Sequence, residues 1–247
     1  MTVMIIDSKK ANNPLFIFSC LMRGFTDLRR PEFRKYLIMP LLINMALYLG
    51  VFVSGWYYLS GFLEQMIPAW LSWLNWFIWP IFVIGFFMLG VFTFAILANI
   101  LAAPFYSRLA LEAKRLRNDQ TNVEAVENTA WVSMLSELKR LAYLGKFVIP
   151  LVVLFVIPGL NLLAPICWVL FAAWAMCLEY MAYPFEIEGV LFPDQREQVK
   201  QARWGSLVFG GLVMLGLSIP VVNFVVPAAA IIGATAYRDE IKKKCNR

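Results

Sequence analysis

Histidine is absent from this chain of 247 residues, and charged residues make up only 15% of it, against about 25% in a typical soluble domain. Without an imidazole, the chain cannot contain histidine-activated serine or cysteine nucleophiles, histidine-containing zinc sites or histidine proton relays. Its four cysteines include no C-x-x-C pair, so neither an iron–sulfur site nor a disulfide framework is expected. The sequence therefore predicts a protein that is not an enzyme, with no catalytic residues, no metal site and no cofactor.

Apolar residues are abundant instead, at 61% of the chain with a mean hydropathy of +0.68. Four stretches contain no Asp, Glu, Lys or Arg at all, and they are 36–63, 65–107, 147–178 and 204–237. Runs of about 18 or more apolar residues are typical of segments that lie in a bilayer. These stretches predict an all-α integral membrane protein with a single membrane domain over 1–247.

The first two stretches predict two full transmembrane helices, over 33–63 and 80–107. A straight helix over 36–63 reaches roughly 42 Å, so one tilted span fits a hydrocarbon core of about 30 Å. The stretch 65–107 is too long for one span and too short for two, and Pro68 and Pro80 divide it. A span that starts at Pro80 returns the chain to the first side of the membrane.

An internal repeat marks the other two stretches. Residues 157–165 and 219–227 share the pattern I-P-x-ϕ-N-ϕ-x-x-P, in which ϕ is apolar. Each copy interrupts an apolar stretch that is too short for two spans and a connection. We therefore predict two re-entrant, half-penetrating helical hairpins, over 147–178 and 204–237, which turn inside the membrane; the alternative is a proline kink within a continuous span.

The distribution of basic residues agrees with hairpins. With this layout all 22 Lys and Arg residues lie on one side of the membrane, in the segments 1–35, 108–146, 179–203 and 238–247. Cytoplasmic segments carry an excess of Lys and Arg. The sequence thus predicts that both termini are cytoplasmic.

Two of these basic segments have helical patterns. Over 14–30, Leu15, Phe18 and Met22 share one face of a short amphipathic helix, which is typical of a helix that lies in the membrane interface. The segment 108–146 predicts a charged cytoplasmic helical region. Its net charge of only +2 favours a solvated or membrane-facing surface over nucleic-acid binding.

An anion site is predicted where the first span begins. Pro31 suits the first position of a helix, so we expect the backbone N–H groups of residues 32–34 to be free of helical acceptors. Free N–H groups, the positive end of a helix dipole and nearby basic side chains together favour a tetrahedral oxyanion. The predicted anion-binding residues are Glu32, Phe33, Arg34 and Lys35, with Arg29 and Arg30 as further candidates. The alternative is that the basic side chains contact lipid phosphate and orient the protein.

Further polar residues are candidates for a permeation path. Asn99 precedes Arg108 and Glu112, which are four residues apart and could pair on one helix face, lining a vestibule or capping a surface. Asn161 and Asn223 lie at the predicted hairpin tips, where they could line a pore or hydrogen bond tip to tip. Each could instead cap the backbone that its neighbouring proline frees.

Several motifs, in this order, give the chain a resemblance to a known family. They are Pro31-Glu32-Phe33-Arg34-Lys35 leading to Met39-Pro40-Leu41-Leu42-Ile43-Asn44, Asn99 with Ala102-Ala103-Pro104-Phe105, Ile157-Pro158-Gly159, Tyr183-Pro184-Phe185, Ile219-Pro220-Val221-Val222-Asn223 and Gly233-Ala234-Thr235-Ala236. Over about 15–240 the chain resembles the CysZ family of bacterial sulfate permeases, which is related to the etoposide-induced membrane proteins. The resemblance also makes Asn44 a pore candidate.

The resemblance implies a bacterial inner-membrane protein that admits sulfate for cysteine biosynthesis, with two full spans, half-penetrating hairpins and a homo-oligomeric assembly. The family's P-G-ϕ-R-R sulfate turn matches residues 31–35, with Glu32 in place of glycine and Lys35 in place of arginine. Because no G-x-x-x-x-G-K-[ST] motif occurs, we predict a channel or permease that does not itself hydrolyse ATP. Its expected partners are sulfate or a related oxyanion and membrane lipids. The alternative function is a non-transporting membrane scaffold or lipid-organising protein.

Overall fold

The computed structural model describes residues 7–66, 69–118, 126 and 130–242. Over these residues the regular elements are helices, with no strand, so the all-α prediction is confirmed. The chain forms two compact units, one of Met1–Arg34 with Tyr106–Arg247 and the other of Lys35–Phe105.

The described residues form nine α-helices and three 3-10 helices, joined by short loops. The helices are α1 (Ser8–Ala11), α2 (Pro14–Asp27), α3 (Pro31–Met66), α4 (Asn75–Asn118), α5 (Ala130–Val156), α6 (Ala164–Glu186), α7 (Asp194–Gln201), α8 (Arg203–Leu217) and α9 (Val226–Ile241). The 3-10 turns are Ala69–Leu74, Leu160–Leu162 and Val222–Phe224.

Among the residues that the structure describes, two helical stretches are long and apolar enough to cross a membrane, Pro31–Leu63 and Leu160–Glu186. The first coincides with the predicted span 33–63. The predicted span 80–107 lies within α4, and most of its side chains from residue 89 onward lie outside the described ones. The second stretch overlaps the first predicted hairpin and contains Glu179 and Glu186, so its charge-free part in α6 is only about 22 Å long.

Within the second unit, aromatic side chains align α3 and α4 antiparallel. Tyr48 lies 4.9 Å from Phe86 between ring centroids, Phe52 lies 6.3 Å from Phe82, and Trp56 lies 4.0 Å from Trp79. Residues farther along α3 therefore contact residues nearer the start of α4, as expected for two antiparallel helices. Ring pairs at these separations stabilise packing beyond their buried area.

The internal repeat of the sequence is also a repeat of the backbone. The turns Leu160–Leu162 and Val222–Phe224 are followed by α6 and α9 at equivalent positions. The N–H of Asn161 donates to the carbonyl of Ile157 at 3.2 Å, and that of Asn223 donates to Ile219 at 2.8 Å. The copies differ in backbone at the equivalent residues Gly159 and Val221, which have φ angles of +86° and −74°. Only glycine adopts the former easily.

Each copy of the repeat joins two antiparallel helices. In the first, Phe155 of α5 contacts Trp168 of α6 at 6.2 Å, and Phe147 contacts Phe171 farther from the turn at 6.4 Å. In the second, the ring of Phe209 in α8 stacks on Tyr237 of α9 at 5.9 Å. The structure therefore contains two helix–turn–helix units where hairpins are predicted.

Glycines let the helices of the first unit approach closely. A Cβ on Gly210 of α8 would lie 1.8 Å from the Ala173 carbonyl oxygen of α6, and one on Gly24 of α2 would lie 2.1 Å from the Ala229 carbonyl oxygen of α9. Such close backbone contact through small residues is typical of helix association in membranes. Helix α2 buries Ile17 and Leu21, and leaves Leu15 78% exposed.

We predict that Gly210→Ala destabilises the protein and that Gly211→Ala does not. The added methyl at 210 forces α8 away from the α6 backbone, which costs about 1–3 kcal/mol. At 211 the nearest heavy atom to the new methyl is the Ala173 Cβ at 4.0 Å, and alanine favours the helix. Thermal unfolding of both variants in detergent measures the difference, and equal melting temperatures would contradict the packing.

Candidate anion site

The turn before α3 provides an acceptor that the sequence analysis did not anticipate. The N–H of Phe33 donates to the Arg30 carbonyl at 3.2 Å, and the Arg30 N–H donates to Asp27 at 2.9 Å. The prediction that the Phe33 N–H is free is therefore wrong, because the chain already turns helically before Pro31. The Phe33 side chain is buried, while Glu32 is exposed.

The basic side chains around Pro31 have separate local partners. Arg30 pairs with Asp27 at 3.2 Å, and the Nε of Arg34 donates to the Arg29 carbonyl at 3.2 Å. In the second unit the Nζ of Lys35 lies 5.0 Å from the centroid of the Tyr36 ring. Arg29, Arg30 and Arg34 thus share one exposed turn.

A polar cleft lies beside this turn, within the first unit. Its volume is about 270 Å³, which exceeds the ~30 Å³ that one water occupies and accommodates an ion of several heavy atoms. Its lining residues are Asp27, Arg30 and Phe33, then Ala113, Leu116 and Arg117 of α4, and Ile232 of α9. Two arginines, Arg30 and Arg117, are therefore among the residues that line the cleft.

Arg117 is held toward a carboxylate of α9. Its Nη2 donates to Oε1 of Glu240 at 2.9 Å, and Glu240 also accepts from Lys10 at 3.0 Å and Arg23 at 2.7 Å. Although burial opposes its charge, the hydrogen bond from Lys10 and the charges of Lys10 and Arg23 lower the pKa of Glu240, as does the hydrogen bond from Arg117. The carboxylate therefore stays ionised at neutral pH.

The described lining of the cleft contains none of the other predicted site residues. Glu112 pairs with Arg115 at 3.8 Å, one turn along the same helix. Arg108, its predicted partner, is exposed. Asn44 is buried in the second unit. Asn99 lies in α4, and its side chain lies outside the described ones. Asn161 and Asn223 are both exposed.

A buried ionic cluster next to the cleft was missed by sequence reasoning. Glu188, in the loop after α6, accepts from Lys114 of α4 at 2.7 Å and pairs with Arg238 of α9 at 2.7 Å and with Lys242. The guanidinium of Arg238 lies 3.7 Å from the centroid of the Phe185 ring. These partners are 50 or more residues apart in the chain, so no spacing pattern could reveal them.

The cluster fixes the ionisation of Glu188. Burial opposes the charge, but Arg238 and the hydrogen bonds from Lys114 and Lys242 overcome it and lower the pKa of Glu188 from 4.5 to about 2. Because Lys114 belongs to α4 and Arg238 to α9, the cluster connects two of the helices that line the cleft.

Comparison with known proteins identifies the family of this chain. Residues 20–227 match the family model described as sulfate transporter CysZ/etoposide-induced protein 2.4. The chain belongs to this family. The basic turn and most of the cleft lining lie within the matched range.

Relatives named sulfate transporter CysZ align over most of the chain. That of Pseudomonas fluorescens (strain Pf0-1) is 32% identical over 88% of this chain and 90% of its own length. That of Pseudomonas aeruginosa (strain LESB58) is 33% identical over 90% and 95%, and that of Vibrio atlanticus (strain LGP32) is 34% identical over 89% and 90%. Family membership and the two long apolar helices together identify the chain as a membrane protein.

We predict that Glu188→Gln lowers stability at neutral pH and removes part of its acid dependence. A carboxylate whose pKa is lowered on folding contributes stability above its unfolded pKa of about 4.5, and loses it as the pH falls toward 2. The contribution is on the order of 3 kcal/mol. Thermal unfolding in detergent between pH 7 and pH 2 measures it, and an acid profile unchanged in Glu188→Gln would contradict the cluster.

Proposed function

We propose that this protein carries sulfate across the bacterial inner membrane into the cytoplasm, and that the sulfate binds at the turn before α3. Membership of the family and the names of the relatives support sulfate as the substrate. The observation that carries the proposal is the polar cleft lined by Arg30, beside the exposed Arg29 and Arg34. Guanidinium groups bind tetrahedral oxyanions through paired, charge-assisted hydrogen bonds.

The arrangement supports release as well as capture. Arg30 is paired with Asp27, and Glu32 is exposed nearby, so sulfate binds in competition with carboxylates of the protein. Conduction requires an ion site that is strong enough to fill and weak enough to empty. We therefore propose that this turn binds sulfate transiently during transport and does not retain it.

The membrane layout that we propose has two full spans, in α3 and α4, and two half-penetrating hairpins. The charge-free parts of α5, α6, α8 and α9 are 147–156, 164–178, 204–217 and 226–237. Each is only about 15–22 Å long, against the ~30 Å of the hydrocarbon core. In this layout the basic segments and both termini are cytoplasmic, and α2 lies at the membrane surface.

The hairpin tips carry one exposed amide each among exposed apolar side chains. Asn161 stands beside Leu162, which is 80% exposed, and Asn223 beside Phe224, which is 65% exposed. A polar group in hydrocarbon is costly without a hydrogen-bond partner. We propose that these amides line the wet permeation path or bond to a second copy in a homo-oligomer.

The transport step that we propose is that of a channel or permease that does not hydrolyse ATP, since the sequence contains no phosphate-binding loop of the Walker type. The sulfate so admitted supplies cysteine biosynthesis. Membrane lipids contact the exposed apolar faces.

We predict that Arg30→Ala/Arg34→Ala lowers the initial rate of radiolabelled sulfate uptake into proteoliposomes at least tenfold, because each guanidinium contributes charge-assisted hydrogen bonds to the anion. The matched control is Lys139→Ala/Lys146→Ala, which removes two exposed charges from α5 and leaves uptake unchanged. If native protein moved no more sulfate than empty liposomes, the scaffold function would replace this proposal.

The tip amides generate a separate prediction. Asn161→Leu/Asn223→Leu slows sulfate uptake several-fold and leaves the affinity for sulfate unchanged, because neither residue lines the polar cleft. Leu162→Ala, which alters an exposed apolar side chain of the same tip, is the control. Uptake equal to that of the native protein would show that the amides only satisfy local backbone groups.

A further inference from the structure

We propose that Arg117 of α4 is a second oxyanion ligand of the cleft. In the absence of sulfate its guanidinium is hydrogen bonded to Glu240, and sulfate replaces Glu240 as the acceptor when it binds. This inference rests on the proposed function and assigns it a residue outside the basic turn. Arg117 and Arg30 line the same cleft of about 270 Å³. An ion held between one guanidinium from the turn before α3 and another from α4 is bound by geometry as well as by charge.

Glu240 can release Arg117 without becoming an unpaired charge. It accepts hydrogen bonds from Lys10 and Arg23 at 3.0 and 2.7 Å, in addition to that from Arg117. Breaking a buried ion pair is expensive when a charge is left alone, but here two cations remain on the carboxylate. Arg117 can therefore exchange its hydrogen bond to Glu240 for one to sulfate with only a small loss of free energy at Glu240.

The bonding of Arg117 is itself incomplete. A guanidinium has five N–H donors in a fixed planar fork, and the Nε of Arg117 is buried with no hydrogen-bond partner. The facing Oδ2 of Asp239 lies 3.9 Å away, beyond hydrogen-bond distance. The side chain is 21% exposed, so it is accessible from the cleft. An incoming oxyanion competes with Glu240 for this guanidinium, whose Nε faces Asp239.

This competition favours a divalent anion over a monovalent one. To take Arg117 from Glu240, a ligand must replace a full negative charge and enter a region that also contains Asp27 and Asp239. Sulfate brings two charges and four acceptor oxygens, whereas chloride brings one charge and no directional acceptors. The two arginines therefore attract sulfate more strongly than chloride, and sulfate alone offers oxygens that accept several N–H bonds, whereas the carboxylates repel both anions.

A double-mutant cycle on sulfate binding tests the inference. Isothermal titration of sulfate into the purified full chain in detergent compares the native protein with Arg117→Gln, Glu240→Gln and the double variant. We expect Arg117→Gln to weaken binding about tenfold. We expect Glu240→Gln to strengthen binding several-fold, because it frees Arg117, and we expect this gain to vanish in the Arg117→Gln background.

The cycle separates a ligand from a general charge effect. If Glu240→Gln strengthens binding equally with and without Arg117, or fails to strengthen it in the native background, Arg117 is not a reserved ligand. If Arg117→Gln does not fold, Arg117→Lys, which keeps the charge and loses the planar fork, takes its place in the cycle. Arg115→Gln, which removes a guanidinium that pairs with Glu112, is the matched control and binds as the native protein does.

Failure of the proposed function gives a different result. If the native protein binds no sulfate, the proposal for the basic turn and the inference built on it both fail. If Arg30→Gln abolishes binding while Arg117→Gln and Glu240→Gln bind as the native protein does, the basic turn is supported and the role of Arg117 is overturned.

Discussion

The close approach of α2 to α9 at Gly24 is the contact on which the candidate site depends. A Cβ there would lie 2.1 Å from the carbonyl oxygen of Ala229, so only glycine permits this separation. Asp27 and Arg30 follow within two turns, and Ile232 of α9 lines the same cleft. Small residues rather than apolar bulk bring the helices together, as expected where lipid is as apolar as the side chains.

Two carboxylates organise the charged side of the first unit. Glu188 gathers cations from α4 and α9, and Glu240 gathers them from α1, α2 and α4. The two carboxylates have different roles. Glu188 is only 8% exposed and stabilises the joint between helices, whereas Glu240 has a partner, Arg117, that lines an accessible cleft. One carboxylate thus maintains the fold, and in our proposal the other regulates access to a ligand.

Local features of the structure could be predicted from the sequence, and distant contacts could not. The repeated Pro and Asn produce the same 3-10 turn in both copies because their effects are local. The free N–H of Phe33 was wrongly predicted because the preceding residues continue the helical turn to Arg30. Arg117 and Glu240 lie 123 residues apart, and no periodic pattern or motif links them. Their meeting depends on how α4 and α9 pack, which composition and spacing do not determine.

Anomalous diffraction from crystals soaked in selenate tests the central claim most directly, because selenate has the shape and charge of sulfate and its selenium can be located. The account predicts a selenium peak in the cleft, within hydrogen-bond distance of the guanidinium groups of Arg30 and Arg117. It also predicts that the hydrogen bond between Arg117 and Glu240 is broken in that crystal. A selenium peak elsewhere in the protein, with the cleft empty and that hydrogen bond intact, would contradict the account.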